Sequence, residues 1–358
     1  MLYREAGQFK TSYTADSAIF PILQDRIGII VILAVAYIAV PATHNDFLIN
    51  AVMIPFLIFA LASIGLNLLT GYTGLLSLGT GAFMGVGGYA CYKLTTIFPQ
   101  VNILIWVIAS GFFSAAVGAL FGLPSLRIKG FYLAIATLAA QFFLEWCFIR
   151  IPWLYNYNIS GAIEVPQRDF LDIIVTGPRA TAETRYYVVL TIVVAMTWVA
   201  SNLVHGRIGR MWMAVRDMDI AAELMGIRLL PTKLLAFAVS SFYCGVAGAL
   251  MVFLWYGGVE ASVFNINQSF TILFMIIIGG LGSMTGSFFG AGLIFVLPIV
   301  LRLITEALGV PLTSANVEHV TFMLTGALII LILIAEPAGL ARLWQVGKQK
   351  LRTWPFPY

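Results

Sequence analysis

The side chains that could do chemistry in this sequence are few, small and mostly set beside glycine. Asn67, Ser77 and Thr80 lie in or just before the stretch GYTGLLSLGTGAFMGVGG at 71–88, and Ser283 and Thr285 lie inside GGLGSMTGSFFGAG at 279–292. Hydroxyl and amide groups of this kind hydrogen-bond a passing solute without trapping it, or else they bond the backbone of their own helix. Harder chemistry is missing from the pattern. His44, His205 and His319 are scattered, and Cys91, Cys147 and Cys244 sit in apolar runs with no CxxC spacing. Neither a metal site nor a disulfide framework is expected, and the cysteines read as small buried hydrophobes. The sequence carries no G-x-x-x-x-G-K-[ST] P-loop, so no cofactor is expected on this chain. Glu145 is ionisable within an apolar run, but its place near the outer end, with Arg150 close by, suits an interfacial anchor.

Whatever positions these groups is built for lipid. Of 358 residues, 60% are hydrophobic and 10% charged, against about 45–50% and about 25% in soluble domains. A soluble enzyme, a nucleic-acid binder, a secreted disulfide scaffold and a disordered chain are all excluded. The expected fold is all-α and polytopic. Ten apolar segments approach the roughly 20 residues that cross a bilayer, near 26–42, 47–70, 74–95, 101–123, 131–150, 185–204, 232–256, 267–281, 285–305 and 317–335. They do not alternate as barrel strands would. With both termini cytoplasmic, fourteen of the 20 basic residues fall on the inner side, as positive-inside topology requires. The chain then divides into a cytoplasmic lead at 1–25, a transmembrane domain at 26–335 and a basic cytoplasmic tail at 336–358. The domain includes an external loop at 151–184 and a cytoplasmic loop at 205–231. The first helix is expected to remain uncleaved.

The two glycine stretches echo one another. Each opens with glycines three apart, Gly71 and Gly74 in one, Gly279 and Gly282 in the other. Each runs on into T-G-x-F-x-G: Thr80, Gly81, Phe83 and Gly85, then Thr285, Gly286, Phe288 and Gly290. Two pseudo-repeated halves with glycine-broken helices follow, the breaks falling at Gly71, Gly74, Gly81, Gly279, Gly280, Gly282 and Gly286. Broken helices near the midplane mark substrate paths in many transporters. Small residues at this spacing also let helices pack closely, and the pattern alone leaves both readings open.

The loop HGRIGRMWMAVRDMDIAAELMGIRLLP at 205–231 is too polar to span and too long for a turn. Asp219 suits an N-cap for 220–225, and Gly226 a C′ stop. The resulting short amphipathic helix fits a headgroup surface, its own helix ends or a groove on a soluble partner equally well.

GRIGRMWMAVRDMDIAAELMGIRLLPTKLLAF resembles the coupling segment of branched-chain amino acid ABC importer permeases. The resemblance continues in ALASIGLNLLTGYTGLLSLGTGAFMGVGGYA (60–90), FGLPSLRIKGFYLAIATLA (121–139), IIIGGLGSMTGSFFGAGLIFVLPIVLR (276–302) and EPAGL (336–340). These blocks cover about residues 45 to 340 in the family's order, and the long lead and GLPSLRIKG block are similar to its M-type member. The resemblance implies a pore subunit of the bacterial inner membrane without catalysis of its own. Its implied partners are a shorter H-type permease, two cytoplasmic ABC ATPases that bind ATP and Mg²⁺, and a periplasmic substrate-binding protein. It places the ATPase contact on Arg216, Asp217, Ala221, Ala222, Glu223 and Gly226, with Arg216 and Glu223 pairing at the rim, and the substrate path along Asn67, Ser77, Thr80, Ser283 and Thr285.

Branched-chain or other hydrophobic amino acids are the family's default cargo; urea, short amides and aromatic acids are used by close relatives. Two departures stand out: Thr80 where related chains carry a histidine, and an aromatic external loop (Trp153, Tyr155, Tyr157) where they are glycine-rich. An ion-coupled secondary transporter would need a mid-bilayer carboxylate that no span supplies.

Overall fold

The computed structural model describes residues 11–12, 23–125, 132–170, 173–177, 179–307, 314–336 and 338–353. Most of the lead 1–25, and Arg127 and Lys129 of the loop 124–130, lie outside them.

The chain is helical almost throughout. α1 (Leu23–Ala34) continues through a π-turn at Val35–Ala39 to Ala42. α2 (Ile54–Thr73) follows a second π-turn at Leu48–Met53. Next come α3 (Thr80–Ile97), α4 (Ile103–Ser125), α5 (Tyr132–Arg150) and α6 (Ala182–His205). Two short helices, α7 (Arg207–Asp217) and α8 (Asp219–Leu224), fill the charged loop. α9 (Leu229–Leu250) runs on in a π-turn to Tyr256, and α10 (Ile266–Gly279), α11 (Met284–Ala307), α12 (Ser314–Ala335) and α13 (Leu340–Thr353) complete the order.

Among the described residues, six stretches are individually long and apolar enough to cross a bilayer: Asp25–Ala42, Leu48–Thr73, Ile103–Leu123, Leu133–Arg150, Ala182–His205 and Leu229–Tyr256. α10 and α11 pass that test together, as a pair bent by 119°. The molecule is a polytopic membrane protein.

Two expected segments take a different form. Helix in the third begins only at Thr80, and 74–79 is irregular. Gly74 adopts φ 73° and closes α2, so the run GLLSLG cannot simply continue the helix. The eighth, α10, has 14 residues, about 21 Å of helix at 1.5 Å per residue, which is short of the ~30 Å hydrocarbon core.

The centre of the molecule is α2 and α9, buried on nearly all sides, with α3 and α4 packed around them. α1 is the opposite case, almost wholly exposed along its apolar length, as a lipid-facing helix is. Small residues set the central spacing. A Cβ on Gly87 of α3 would overlap the backbone of Gly245 on α9, an approach only glycine permits.

The loop 151–184 is tied down at several points. Its strand β1 (Ile163–Glu164) pairs antiparallel with β4 (Gly258–Val259), and β2 (Arg168–Phe170) pairs with β3 (Ile173–Thr176). Arg168 donates to Pro99 O at 2.7 Å and Thr95 O at 2.9 Å, locking the loop onto the end of α3. The aromatic residue Trp153 lies under the Lys93 ammonium, 4.3 Å from its ring centre.

Candidate functional site

The two glycine stretches meet each other. α2 ends and α10 ends at the same place, and a Cβ on Gly71 would overlap the backbone nitrogen of Gly282. Asn67, fully buried one turn earlier, clamps the junction. Its Oδ1 accepts from Gly282 N at 2.8 Å, while its Nδ2 donates to Ser283 O at 2.8 Å and to Ser287 Oγ at 3.0 Å. Irregular backbone inside a membrane protein must be satisfied by other protein groups, and this side chain supplies them for the 280–283 break. Gly280 and Gly282, at φ 120° and 75°, take conformations that L side chains rarely adopt.

Arg216, the penultimate residue of α7, reaches into this junction. Its Nη1 donates to Gly71 O at 2.9 Å, and its Nε to Asp217 Oδ1 at 2.9 Å. Its aliphatic stem lies against Gly74, where a Cβ would stand 3.1 Å from Cγ. One guanidinium thus fastens the charged loop to the end of α2, beside the 280–283 break. This differs from the expected Arg216–Glu223 pair, because α7 and α8 are separate helices kinked at Met218 (φ −160°). The kink leaves the arginine pointing at the α2 terminus.

A second junction lies at the start of α3. The first N–H groups of a helix lack internal partners, and here they are buried. Gly81 N donates to Ser269 Oγ at 2.8 Å, and Ala82 N to Gln141 Oε1 at 2.7 Å. Gln141 Nε2 then donates to Phe264 O at 2.7 Å, just ahead of α10. A Cβ on Gly81 would stand 2.9 Å from Asn265 O, so the N-termini of α3 and α10 converge, both with positive dipole ends. Thr80 Oγ1 and Gln268 Nε2 are buried there without a hydrogen-bond partner among the described residues. Replacing Gln141 with leucine orphans the Ala82 N–H and the Phe264 carbonyl. Such losses cost about 1–3 kcal/mol, and the expected result is a lower thermal midpoint in detergent, with Gln141→Glu less damaging than Gln141→Leu.

The five small polar candidates therefore separate. Asn67 bridges the breaks. Ser283 caps α11, accepting from Gly286 N at 3.2 Å, and its hydroxyl lies 3.0 Å from that of Thr285. Ser77 Oγ accepts from Gly79 N at 3.4 Å, and Thr80 Oγ1 has no hydrogen-bond partner among the described residues. Gln141, Ser269 and Thr137, whose Oγ1 accepts from Leu78 N at 2.9 Å, join them as site residues beyond the five expected from sequence. Their signal was available: polar side chains in apolar runs, each on a helix facing a glycine stretch.

In the charged loop, Gly226 has φ 90°. The Ile227 N→Ala222 O and Gly226 N→Glu223 O bonds, 3.0 and 2.9 Å, close α8 in a Schellman arrangement. Asp219 is the first helical residue rather than the N-cap, which falls on Met218; its carboxylate lies 3.8 Å from Lys233 Nζ. Ala222 is fully buried, Ala221 half-buried. The exposed face is instead apolar, with Met218, Ile220, Leu224 (85% exposed) and Met225 (72%) around Glu223. Between this elbow and the 73–76 segment lies a cleft of about 530 Å³, lined by Leu75, Leu133, Arg216, Asp217, Asp219 and Lys233. Among the described residues no group of three or more His, Cys, Asp or Glu could hold a metal.

Helices broken at glycine and converging inside an apolar bundle are a feature of many membrane transporters. Residues 48–333 match the model of the branched-chain amino acid transport system permease component, and the chain belongs to that family. It is 28% identical over 307 residues to the high-affinity branched-chain amino acid transport system permease protein LivM of Salmonella typhimurium, covering 79% of this chain and 68% of that one. The Escherichia coli LivM is 29% identical over the same length and shares. A probable branched-chain amino acid transport permease LivM of Methanocaldococcus jannaschii is 26% identical over 337 residues, 82% of this chain and 93% of that one. No solved structure matches.

Proposed function

We propose that this chain is the M-type permease of an ATP-driven importer for branched-chain or other hydrophobic amino acids in a bacterial inner membrane. Both termini face the cytoplasm, and ten helical segments make the crossings. It forms the pore with a second, H-type permease, takes cargo from a periplasmic binding protein, and is driven by two cytoplasmic ATPases that bind ATP and Mg²⁺. The observation that carries this reading is the Arg216 tie. A loop outside the membrane holds, by one side chain, the point at which two broken membrane helices meet, so a push on the loop becomes a displacement of both.

The ATPase docks on the elbow formed by α7 and α8. Met218, Ile220, Leu224 and Met225 are its apolar anchors, Glu223 and Asp217 its polar rim; Ala221, Ala222 and Gly226 give α8 its shape from within. Apolar side chains fill a groove on a soluble partner at helical spacing. Leu224→Asp together with Met225→Asp should leave membrane levels unchanged, abolish co-purification of the ATPases and abolish uptake. Ala222→Trp overpacks a fully buried position and Gly226→Pro forces a φ that proline cannot reach; both should lose uptake while the chain still inserts.

The path runs beside the two junctions. Asn67, Ser77, Thr80, Ser283 and Thr285 edge it, and the glycines allow its walls to move. Reconstitution of the permease pair with its ATPases and binding protein in liposomes tests the whole scheme. Leucine accumulation that needs internal ATP supports it. Accumulation by this chain alone on a proton or sodium gradient overturns it.

A further inference from the structure

The tail was expected only as a basic extension; it forms α13, LARLWQVGKQKLRT, a helix of 14 residues. Leu340, Leu343, Trp344, Gly347 and Leu351 recur at helical spacing on one stripe. Arg342, Lys348, Lys350 and Arg352 flank that stripe, and no acidic residue occurs between 340 and 353. Leu343 and Trp344 are 51% and 57% exposed.

Three ties fix where this helix lies. At its start, Gly339 abuts the 280 break, where a Cβ on Gly339 would stand 2.6 Å from the Gly280 Cα. Trp344 packs edge-on against Phe289, 6.0 Å between ring centres, in the second turn of α11. Farther along, Lys348 pairs with Asp25, the residue that opens the first membrane-spanning stretch. α13 is therefore held by the break at one end and by the foot of α1 at the other.

We propose that α13 is an in-plane anchor whose leucine–tryptophan stripe enters the inner leaflet and whose basic flanks bind anionic lipid headgroups. Charge favours that occupant. Four basic residues and no acidic one lie between 340 and 353; Arg342 meets Glu336 at 3.2 Å and Lys348 meets Asp25. Tryptophan belongs at the headgroup level, and basic amphipathic helices lie in that plane, drawn by the negative potential of the cytoplasmic leaflet. Because Gly339 abuts Gly280, the lipid that holds the helix also bears on the α10–α11 break, and transport should rise with anionic lipid content. The choice of leaflet rests on the orientation proposed above.

The test uses the full chain, its three native cysteines replaced by alanine, in bilayer nanodiscs with or without phosphatidylglycerol. Spin labels go on Leu343→Cys, Gln345→Cys, Gly347→Cys and Gln349→Cys. With phosphatidylglycerol, labels at 343 and 347 should meet lipid-dissolved oxygen, while those at 345 and 349 should meet a water-soluble nickel chelate. Equal water access at all four positions overturns the anchor. Shielding that arises only on adding the ATPases overturns it too and makes the occupant a protein. The same pattern without phosphatidylglycerol overturns the anionic part. In the complete transporter, Lys350→Gln with Arg352→Gln should cut stimulation by phosphatidylglycerol several-fold, and unchanged stimulation overturns the regulatory link. Labelling at 345 by an impermeant thiol reagent from the periplasmic side would overturn the orientation alone, with the oxygen and nickel pattern intact.

Discussion

Replacing Arg216 with alanine is expected to reduce leucine uptake about 10- to 100-fold while the ATPases still bind and still hydrolyse ATP. The size follows from the bond removed. A hydrogen bond from a charged donor is worth about 1.5–3 kcal/mol, and about 1.4 kcal/mol is a factor of ten. The direction follows from where the bond lies. Arg216 donates to the carbonyl that ends α2 and, through its other nitrogen, to its own neighbour Asp217. Without it the elbow can move and the helix breaks need not follow. Arg216→Lys separates charge from geometry, because an ammonium is a point donor and cannot hold the two acceptors as a planar fork does. It should recover less than a third of the lost uptake. Full recovery with lysine would show that charge alone matters, and loss of ATPase binding in Arg216→Ala would make the residue a docking contact.

Much of the fold was readable because lipid imposes a simple rule on composition. Twenty-residue apolar runs such as 101–123 and 185–204 correspond to α4 and α6 within a few residues, since backbone polar groups in hydrocarbon leave little choice but helix. That same rule misled at 74–79. The run is apolar enough for a span, yet the Leu78 amide, and those of Gly81 and Ala82 just beyond it, are served from outside by Thr137, Ser269 and Gln141. Those acceptors lie 59 or 188 residues away along the chain, so no local pattern shows that they meet. The glycine echo was visible as a repeat of letters, and Gly74 and Gly282 do take left-handed conformations at the two breaks. That the two copies touch one another was not visible.

The charged loop shows the limit from the other side. Its amphipathic stretch was legible, but the kink at Met218 was not, because an extended residue between two helices leaves no mark in a sequence without proline or glycine there. That one residue turns Arg216 inward, buries Ala222 and exposes Leu224 and Met225.

Gly71→Ala puts a methyl group into the junction of the two breaks, and it should cost about 3 kcal/mol of stability together with nearly all transport. The added carbon would coincide with the Gly282 amide nitrogen and crowd Asn67 Oδ1. Overpacking usually costs about 1–3 kcal/mol, because side chains yield, but backbone cannot rotate away. Either α2 or the 280–283 break must shift, and with it go the bond from Gly282 N to Asn67 and the carbonyl that Arg216 holds. Gly226 supplies the control. Its φ of 90° makes alanine strained there too, yet a Cβ would meet nothing within 4 Å, so Gly226→Ala should cost only the conformational penalty, about 1 kcal/mol. Thermal midpoints and leucine uptake measured for both, at matched membrane levels, separate the two causes. A Gly71→Ala permease that transports normally would show that the two glycine breaks do not meet during the cycle.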